Sequence, residues 1–569
     1  MEFHPHPNIQ LPPIPDDVSI PQFMFDCKHP SKPTKVGSTP WLIDDQSGRQ
    51  FGGEQLRKRV NGLSNALHVK LGLGNRNHID YPAVIWATHQ LGGVVFGANP
   101  DFSEQELAYQ IKQANAKLLV VHSESLSTAA AAARDCGISD DRIILFDTDG
   151  IQSTRHLTVE QLVEFGLAEP ASFSELKLKK GEGRSKLAFL SFSSGTTGRP
   201  KAVAISHYSL IVNVVQWAVH NKANENYTEW KDRRYRPSDV AIGVLPFYHI
   251  YGLVLNLHAV IHSAMSLVVV KKFNITSFLE SIMRYRITHL FLVPPLVVQL
   301  CKNPVVKKYN IKEHVRMILC GAAPLTRELN EQLFEMFPDA HIGQAYGMTE
   351  TCTATMAWPI HRKRGTPGSS GRLLPGVVAR VVKLDGALAV YDEPGELWIK
   401  TPSVSLGYVN NEQATRGTFV DGWVRTGDEV VVAKSGDIIV MDRIKVRGFQ
   451  VAPAELEGCL LEYPGVASAC VVGVPHDYSG EVPLAFIALT AQAAERAKDP
   501  QMAKLLKDSI RQHVARQKVH YKHLTGGVEF ISQIPVSPSG KLLRRIMRDQ
   551  AKLLAANENT AGRDPKAKL

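Results

Sequence analysis

Ser193-Ser194-Gly195-Thr196-Thr197-Gly198-Arg199-Pro200-Lys201 lies between two apolar runs of β type, Leu187 to Phe192 and Ala202 to Ile205. It is therefore expected as a loop joining two strands. Gly195 and Gly198 free the backbone to turn successive N–H groups into a concave anion nest, and Ser193, Ser194, Thr196 and Thr197 add hydroxyl donors. Lys201 supplies a full positive charge. Such a loop suits the β- and γ-phosphates of a nucleotide. It lacks the Gly-Lys-Ser/Thr ending of the P-loop and no helical pattern follows it directly, which disfavours a kinase or Walker-type ATPase. On composition alone, a polar cluster between strands is a solvated turn.

At 569 residues the chain is too long for one core, so at least two domains are expected. A hydrophobic share of 44% with 21% charged residues excludes disordered and fibrous classes. The net charge of +10 suits anionic ligands, yet the basic residues are dispersed and no basic run is interleaved with aromatics, so nucleic acid is not an expected partner. Seven widely spaced cysteines without a C-x-x-C pair argue against a disulfide framework or a zinc site, and for a reducing compartment. No signal peptide is visible. The most apolar window, Leu253 to Val270, contains Asn256, His258, His262 and Ser263 and is expected as buried core, with no transmembrane segment.

Helix-like stretches at 53–71 and 81–97 alternate with the short apolar runs 117–121 and 142–146, the pattern of layered α/β sheets. Residues 1–20 are expected as an irregular strap, and the alanine run 129–133 as a surface helix. Apolar strands running into turns at Pro294-Pro295 and at Gly321-Ala322-Ala323 place polar loops beyond strand carboxyl ends, where open α/β sheets collect ligands.

The nine residues from Ser193 to Lys201 resemble the phosphate-binding signature of the adenylate-forming superfamily, which includes acyl-CoA synthetases, 4-coumarate:CoA ligases and peptide-synthetase adenylation domains. Ala202 stands where the family usually has glycine. A second stretch, Tyr346-Gly347-Met348-Thr349-Glu350, matches the family's core motif residue for residue. The resemblance implies a large multi-layered α/β N-terminal domain with mixed sheets over 1–442 and a small mobile α/β C-terminal domain over 443–569. It also implies ATP, Mg²⁺ and CoA as reactants and cofactor. Tyr346 then offers a flat ring to adenine, Thr349 a hydroxyl to a phosphate, and Glu350 a hard carboxylate oxygen to Mg²⁺. His249, in Pro246-Phe247-Tyr248-His249-Ile250-Tyr251-Gly252, is implied beside the carboxylate under activation, and Ala323 at the adenine-side turn. Asp428, expected on a turn, is suited to accept both ribose hydroxyls. Tyr251, Ala345, Gly347, Thr351 and Met356 are implied to line the acyl pocket.

The segment from Asp442 to Glu457 is similar to the family's hinge, with Arg443 a ribose and phosphate contact and Gly448 and Gln450 beside the nucleotide. Only four residues separate Arg443 from Gly448, four fewer than in the family pattern, and Lys445 stands for one of two expected lysines. Beyond it, Pro535 to Arg545 resembles the motif that presents the adenylation lysine, here Lys541. The resemblance implies an ATP-dependent carboxylic acid:CoA ligase closest to the 4-coumarate:CoA ligase-like branch. An aryl acid and a medium- or long-chain fatty acid both remain open as substrates. The alternatives are an adenylating enzyme that serves another acceptor and a nucleotide-binding homologue without turnover. Ala567-Lys568-Leu569 differs from the Ser-Lys-Leu peroxisomal address by one small-for-small change, so a peroxisomal import receptor is an expected partner.

Overall fold

Strands buried on both faces need apolar residues on both, and the short Val/Ile/Leu runs of this chain assemble accordingly into a largely parallel sheet. The computed structural model describes the chain apart from residues 6–8, 36, 38, 68–76, 149–154, 194–199, 324, 326, 384, 442, 443, 447, 448, 452, 477–479, 519, 537–541, 543 and 562–569. At 441, 444–446, 449–450, 454, 455, 475, 480, 521, 545 and 555–561 the backbone alone is described. The Ala567-Lys568-Leu569 terminus thus lies outside the described residues.

The main sheet has nine strands. Its parallel centre runs in the order His341–Met348, Met317–Cys320, His289–Leu292, Val240–Gly243, Ser266–Val269 and Leu42–Asp44. Antiparallel strands close it, Thr353–Ala357 and Arg372–Leu373 on one side and Gln50–Phe51 on the other. A second sheet has four strands: Gly407–Tyr408, Lys201–Ser206, Leu187–Ser193 and Val95–Gly97. The helix His207–His220 is buried along nearly its whole length, carrying Ile211, Val214 and Trp217 into the main core. A third, six-stranded sheet contains Val378–Val382, Pro394–Lys400 and Trp423–Val432.

Several local expectations change in three dimensions. The helix expected over 81–97 ends at Gln90, and Val95–Gly97 is a strand beside Leu187–Ser193, because Gly92 takes a left-handed φ of 75° and breaks the run. Residues 1–20 are not wholly irregular: Glu2–Phe3 pairs with Val378–Val382, and a capping box at Ser19 starts the helix Ile20–Phe25. The alanine helix, Leu126–Asp135, buries Ala129, Ala132 and Ala133, since small side chains let it pack closely. Pro394–Lys400, expected from sequence as an edge or a sandwich strand, is an interior strand, hydrogen-bonded on both sides. The window 253–270 is core, as expected: a π-helix, Gly252–Ala259, leads into the buried strand Ser266–Val269. Among the described residues, no helix is long and apolar enough to cross a membrane. All seven cysteines are free thiols.

The smaller C-terminal domain has its own sheet, in which Ile444–Val446 pairs with Phe449–Val451, and Val466–His476 and Gly527–Phe530 flank Gly480–Leu489. Val451, Leu456, Leu460, Val471 and Ile510 form its core. Its helix Pro453–Leu461 rests on the helix Arg327–Met336 of the large domain, and Lys302 donates to the Leu461 carbonyl.

Candidate active site

The carboxyl ends of three parallel strands of the main sheet supply the turns that sequence reading singled out. Val240–Gly243 feeds the aromatic and histidine turn, Met317–Cys320 feeds Gly321-Ala322-Ala323, and His341–Met348 carries the core motif. In the first turn, the buried Asn77 side chain donates to the carbonyls of Gly243 and Leu245 (3.0 and 2.9 Å) and accepts from Phe247 N (2.7 Å). His249 is half-buried, with its Nδ1 accepting from Tyr251 N at 3.3 Å. Tyr251 is buried, its hydroxyl donating to the Leu319 carbonyl at 3.4 Å, so it spans two of the turns. Gln344 ties the second turn to the third by accepting from Leu325 N at 2.7 Å. Ala323 sits half-buried beside Ala322, whose φ is +67°.

The core motif bends sharply. The pairing of His341–Met348 with Thr353–Ala357 shifts register between Tyr346 and Gly347. A Cβ on Gly347 would stand 1.7 Å from the Thr353 carbonyl oxygen, so only glycine passes there. Thr349 to Thr351 form a single tight turn, followed by left-handed Cys352 and Thr353. Thr351 is fully buried and its hydroxyl bonds within the turn, donating to the carbonyls of Met348 and Thr353 (both 3.1 Å). Met356 lies opposite Tyr346 in the register and is likewise fully buried, whereas Ala345 is half-buried and Gly347 exposed.

Glu350 is 5% exposed and its Oε1 accepts two hydroxyls: Ser193 Oγ at 3.0 Å and Tyr408 OH at 2.8 Å. Lys201 Nζ stands over the Tyr408 ring, 5.0 Å from its centroid. Ser193, Lys201 and Glu350, read from two stretches about 150 residues apart, thus meet at one point. Thr349, 9% exposed, adjoins them. Ser194, Gly195, Thr196, Thr197 and Gly198 lie outside the described residues. Tyr346 OH donates to Asp428 Oδ2 at 2.7 Å, and the phenol is held well above its ordinary pKa, first by burial and then by the Asp428 carboxylate. Asp428 is not on a turn. It belongs to the continuous strand Trp423–Val432, where Gly427 at φ +69° and a register shift beside Trp398 give the kink that a Gly-Asp pair suggests in sequence.

Lys445 and Gln450 oppose each other across the two-stranded hairpin, while Arg443, Gly448 and Lys541 lie outside the described residues. The helix Arg544–Ala561 that follows the lysine motif is fixed by Arg544 Nη2 donating to Glu457 Oε2 at 2.7 Å.

Tyr408, Asn77, Asn213 and Gln344 escaped the sequence reading as site residues. Asn213 clasps the strand after the core motif, donating to Ala354 O (2.7 Å) and accepting from Ala354 N (3.2 Å). One signal was available: Asn213 and Gln216 interrupt an otherwise apolar, buried helix, and buried amides need partners. Nothing around Tyr408 in the sequence marks it.

The residues present fit a magnesium ion at Glu350. Both hydroxyl donors fall on Oε1, and among the described residues no hydrogen bond reaches Oε2, leaving a hard oxygen for a hard cation.

Residues 30–409 match the AMP-binding enzyme family, and residues 455–541 match the AMP-binding enzyme C-terminal domain. A 4-coumarate–CoA ligase of Oryza sativa subsp. japonica is 32% identical, with 95% of this chain and 94% of the relative covered. The acyl-CoA ligase easD of Emericella nidulans is 31% identical, with coverage of 94% and 97%. Among solved structures, the anthranilate CoA ligase AuaEII bound to anthranoyl-AMP superposes with a TM-score of 0.80 at 21% identity, covering 95% of this chain and 99% of that one. The chain, which carries both signature motifs in its sequence and folds with a separate small domain, belongs to the AMP-binding enzyme family of the adenylate-forming superfamily.

Proposed function

We propose that this chain is an AMP-forming carboxylic acid:CoA ligase, which first makes an acyl-adenylate and then an acyl-CoA from an aryl (4-coumarate-like) or a medium- or long-chain fatty acid. The observation that carries this reading is the meeting of Ser193, Lys201 and Glu350 beside the Tyr346–Asp428 pair at the carboxyl edge of the main sheet. The 4-coumarate–CoA and acyl-CoA ligase relatives support the reaction class.

A carboxylate is a poor acyl donor because attack on it must expel oxide. Joining it to AMP supplies a good leaving group. The substrate carboxylate oxygen attacks the α-phosphorus of ATP, the bond to the β-phosphate bridging oxygen breaks, and pyrophosphate leaves. Lys201 and the hydroxyls of the 193–197 loop receive the β- and γ-phosphates. Asp428 takes the ribose hydroxyls and Tyr346 lies against the adenine. Glu350 would hold Mg²⁺, which when bound neutralises phosphate charge. Lys541 bridges the carboxylate and α-phosphate oxygens, and His249 borders the acid. In the second half, the CoA thiolate attacks the acyl carbon and AMP departs. That half needs the small domain to turn about the 442–450 hinge, where Val446 and Phe449 already pair across a two-residue connection.

Incubation of the purified protein with ATP, Mg²⁺ and a panel of cinnamic and fatty acids, following pyrophosphate and acyl-CoA separately, tests the reading. Both products with one acid are expected. Pyrophosphate without acyl-CoA would instead favour an enzyme that serves another acceptor, a reading the shortened hinge supports. Release of neither product with any acid would leave a nucleotide-binding homologue.

A further inference from the structure

We infer that Tyr408 is a positioning residue for the Glu350 carboxylate, selecting which of its two oxygens faces the cation; this rests on the adenylation reading above. The tyrosine comes from a segment remote in sequence from both motifs, and its backbone is anchored on each side of the ring. Leu406 N donates to Ala204 O (2.7 Å), Val409 N donates to Ala202 O (2.9 Å), and Tyr408 pairs with Val203 in the strand that begins at Lys201. Ser405 N donates to the Glu350 backbone carbonyl at 2.9 Å, so the same segment also holds the main chain of the acid.

With its backbone fixed, the phenol has little freedom. Its hydroxyl donates to Glu350 Oε1, the oxygen that Ser193 Oγ already reaches. Two donors on one oxygen fix the carboxylate torsion and saturate that oxygen, while among the described residues none binds Oε2. The ring is further set edge-on to Phe419, with centroids 5.7 Å apart, and carries Lys201 Nζ on its face. One side chain thereby contacts both the anion and the cation of the site. Partners of this kind, one step removed from a metal, orient its ligands and tune affinity. Ser193 acts on the same oxygen from the edge of the phosphate loop, so the conformation of that loop and the aim of the carboxylate are linked through it.

The test uses the full-length protein with a non-cleavable α,β-methylene analogue of ATP, and Mn²⁺ as a paramagnetic substitute for Mg²⁺. Free and bound Mn²⁺ are read by electron paramagnetic resonance. Tyr408→Phe keeps the ring under Lys201 and removes only the hydroxyl. It should weaken Mn²⁺ binding in the ternary complex by about tenfold, and Ser193→Ala should weaken it in the same direction. Glu350→Gln should weaken it further than either. Mn²⁺ affinity unchanged in Tyr408→Phe and Ser193→Ala, but lost in Glu350→Gln, would overturn the positioning role and leave the metal assignment standing. Unchanged affinity in Glu350→Gln would overturn the assignment of Glu350 on which the inference rests.

Discussion

Asp428 and Tyr346 show how much a single contact changes the meaning of a motif. Each stands in its own sequence signature with a separate role toward the nucleotide, yet the phenol donates directly to the carboxylate at 2.7 Å. The contact occupies Oδ2 of Asp428, so on the proposed reading Oδ1 is the oxygen that takes the ribose hydroxyls. Asp428→Asn should therefore raise the KM for ATP by at least about tenfold, the worth of a hydrogen bond to a charged group, with kcat changed less. Tyr346→Phe, which keeps the ring, should cost only a few-fold, and steady-state kinetics at saturating acid would separate the two. Equal effects would mean that the phenol hydroxyl, not the carboxylate, meets the nucleotide. For Lys541, a single charge-stabilising donor, alanine should slow pyrophosphate release by about 10² or more. Conversion of supplied acyl-adenylate to acyl-CoA should suffer less. Equal loss in the two assays would remove Lys541 from the adenylation step.

At the level of elements, the core motif depends on a bulge that no other residue type allows. Gly347→Ala must push the Thr353 carbonyl aside, and overpacking of this kind costs about 1 to 3 kcal/mol. Because Thr353 directly follows the tight turn that carries Glu350, ATP affinity should fall together with the thermal midpoint. Loss of stability with ATP affinity intact would show that the bulge serves only the sheet. The helix after the lysine motif presents a second case. The Arg544–Glu457 pair is nearly buried, with side chains 12% and 7% exposed, and Glu457 also accepts from Val471 N. Glu457→Gln removes the carboxylate charge from this nearly buried pair, so the small domain should lose up to about 3 kcal/mol, seen as a lower denaturant midpoint. Elements of this chain were legible where a local rule determined them. The strands around the phosphate loop and the buried 253–270 window follow from runs of apolar residues. Asp428 on a strand and the sheet-forming role of Glu2–Phe3 were not legible, because each is settled by which distant strand comes alongside. Tyr408 was hidden for the same reason: its partner, Glu350, is 58 residues away.

Across the whole molecule, the large domain encloses several histidines that the site does not use, and their burial predicts how the protein meets acid. His207, His220, His258 and His289 are at most 5% exposed. Burial drives their pKa values down, to about 3 for His207 and His220 and to about 4 for His258 and His289; Lys186 and Arg234 lower the first two further. Each is neutral in the folded protein and serves as a hydrogen-bonding core residue: His220 reaches the Trp358 carbonyl, His289 the Arg234 carbonyl, and His258 lies between Trp86 Nε1 and the Leu253 carbonyl. An unfolded chain would protonate all four near pH 6.5, the ordinary value. Below that pH the unfolded state binds more protons than the native one, so stability is fully present above about pH 6.5 and falls as pH drops toward the folded values. Each histidine contributes about 1.4 kcal/mol per pH unit in this window. Four together approach roughly 5 kcal/mol per unit once the pH is about one unit below 6.5, on the order of a domain's whole stability. The thermal midpoint should fall steeply from about pH 6.5 to pH 5 at constant ionic strength, with net proton uptake on unfolding. Calorimetry in buffers of different ionisation enthalpy would count those protons. A midpoint that stays constant across the window, with no proton uptake, would mean that these imidazoles are already charged in the native core.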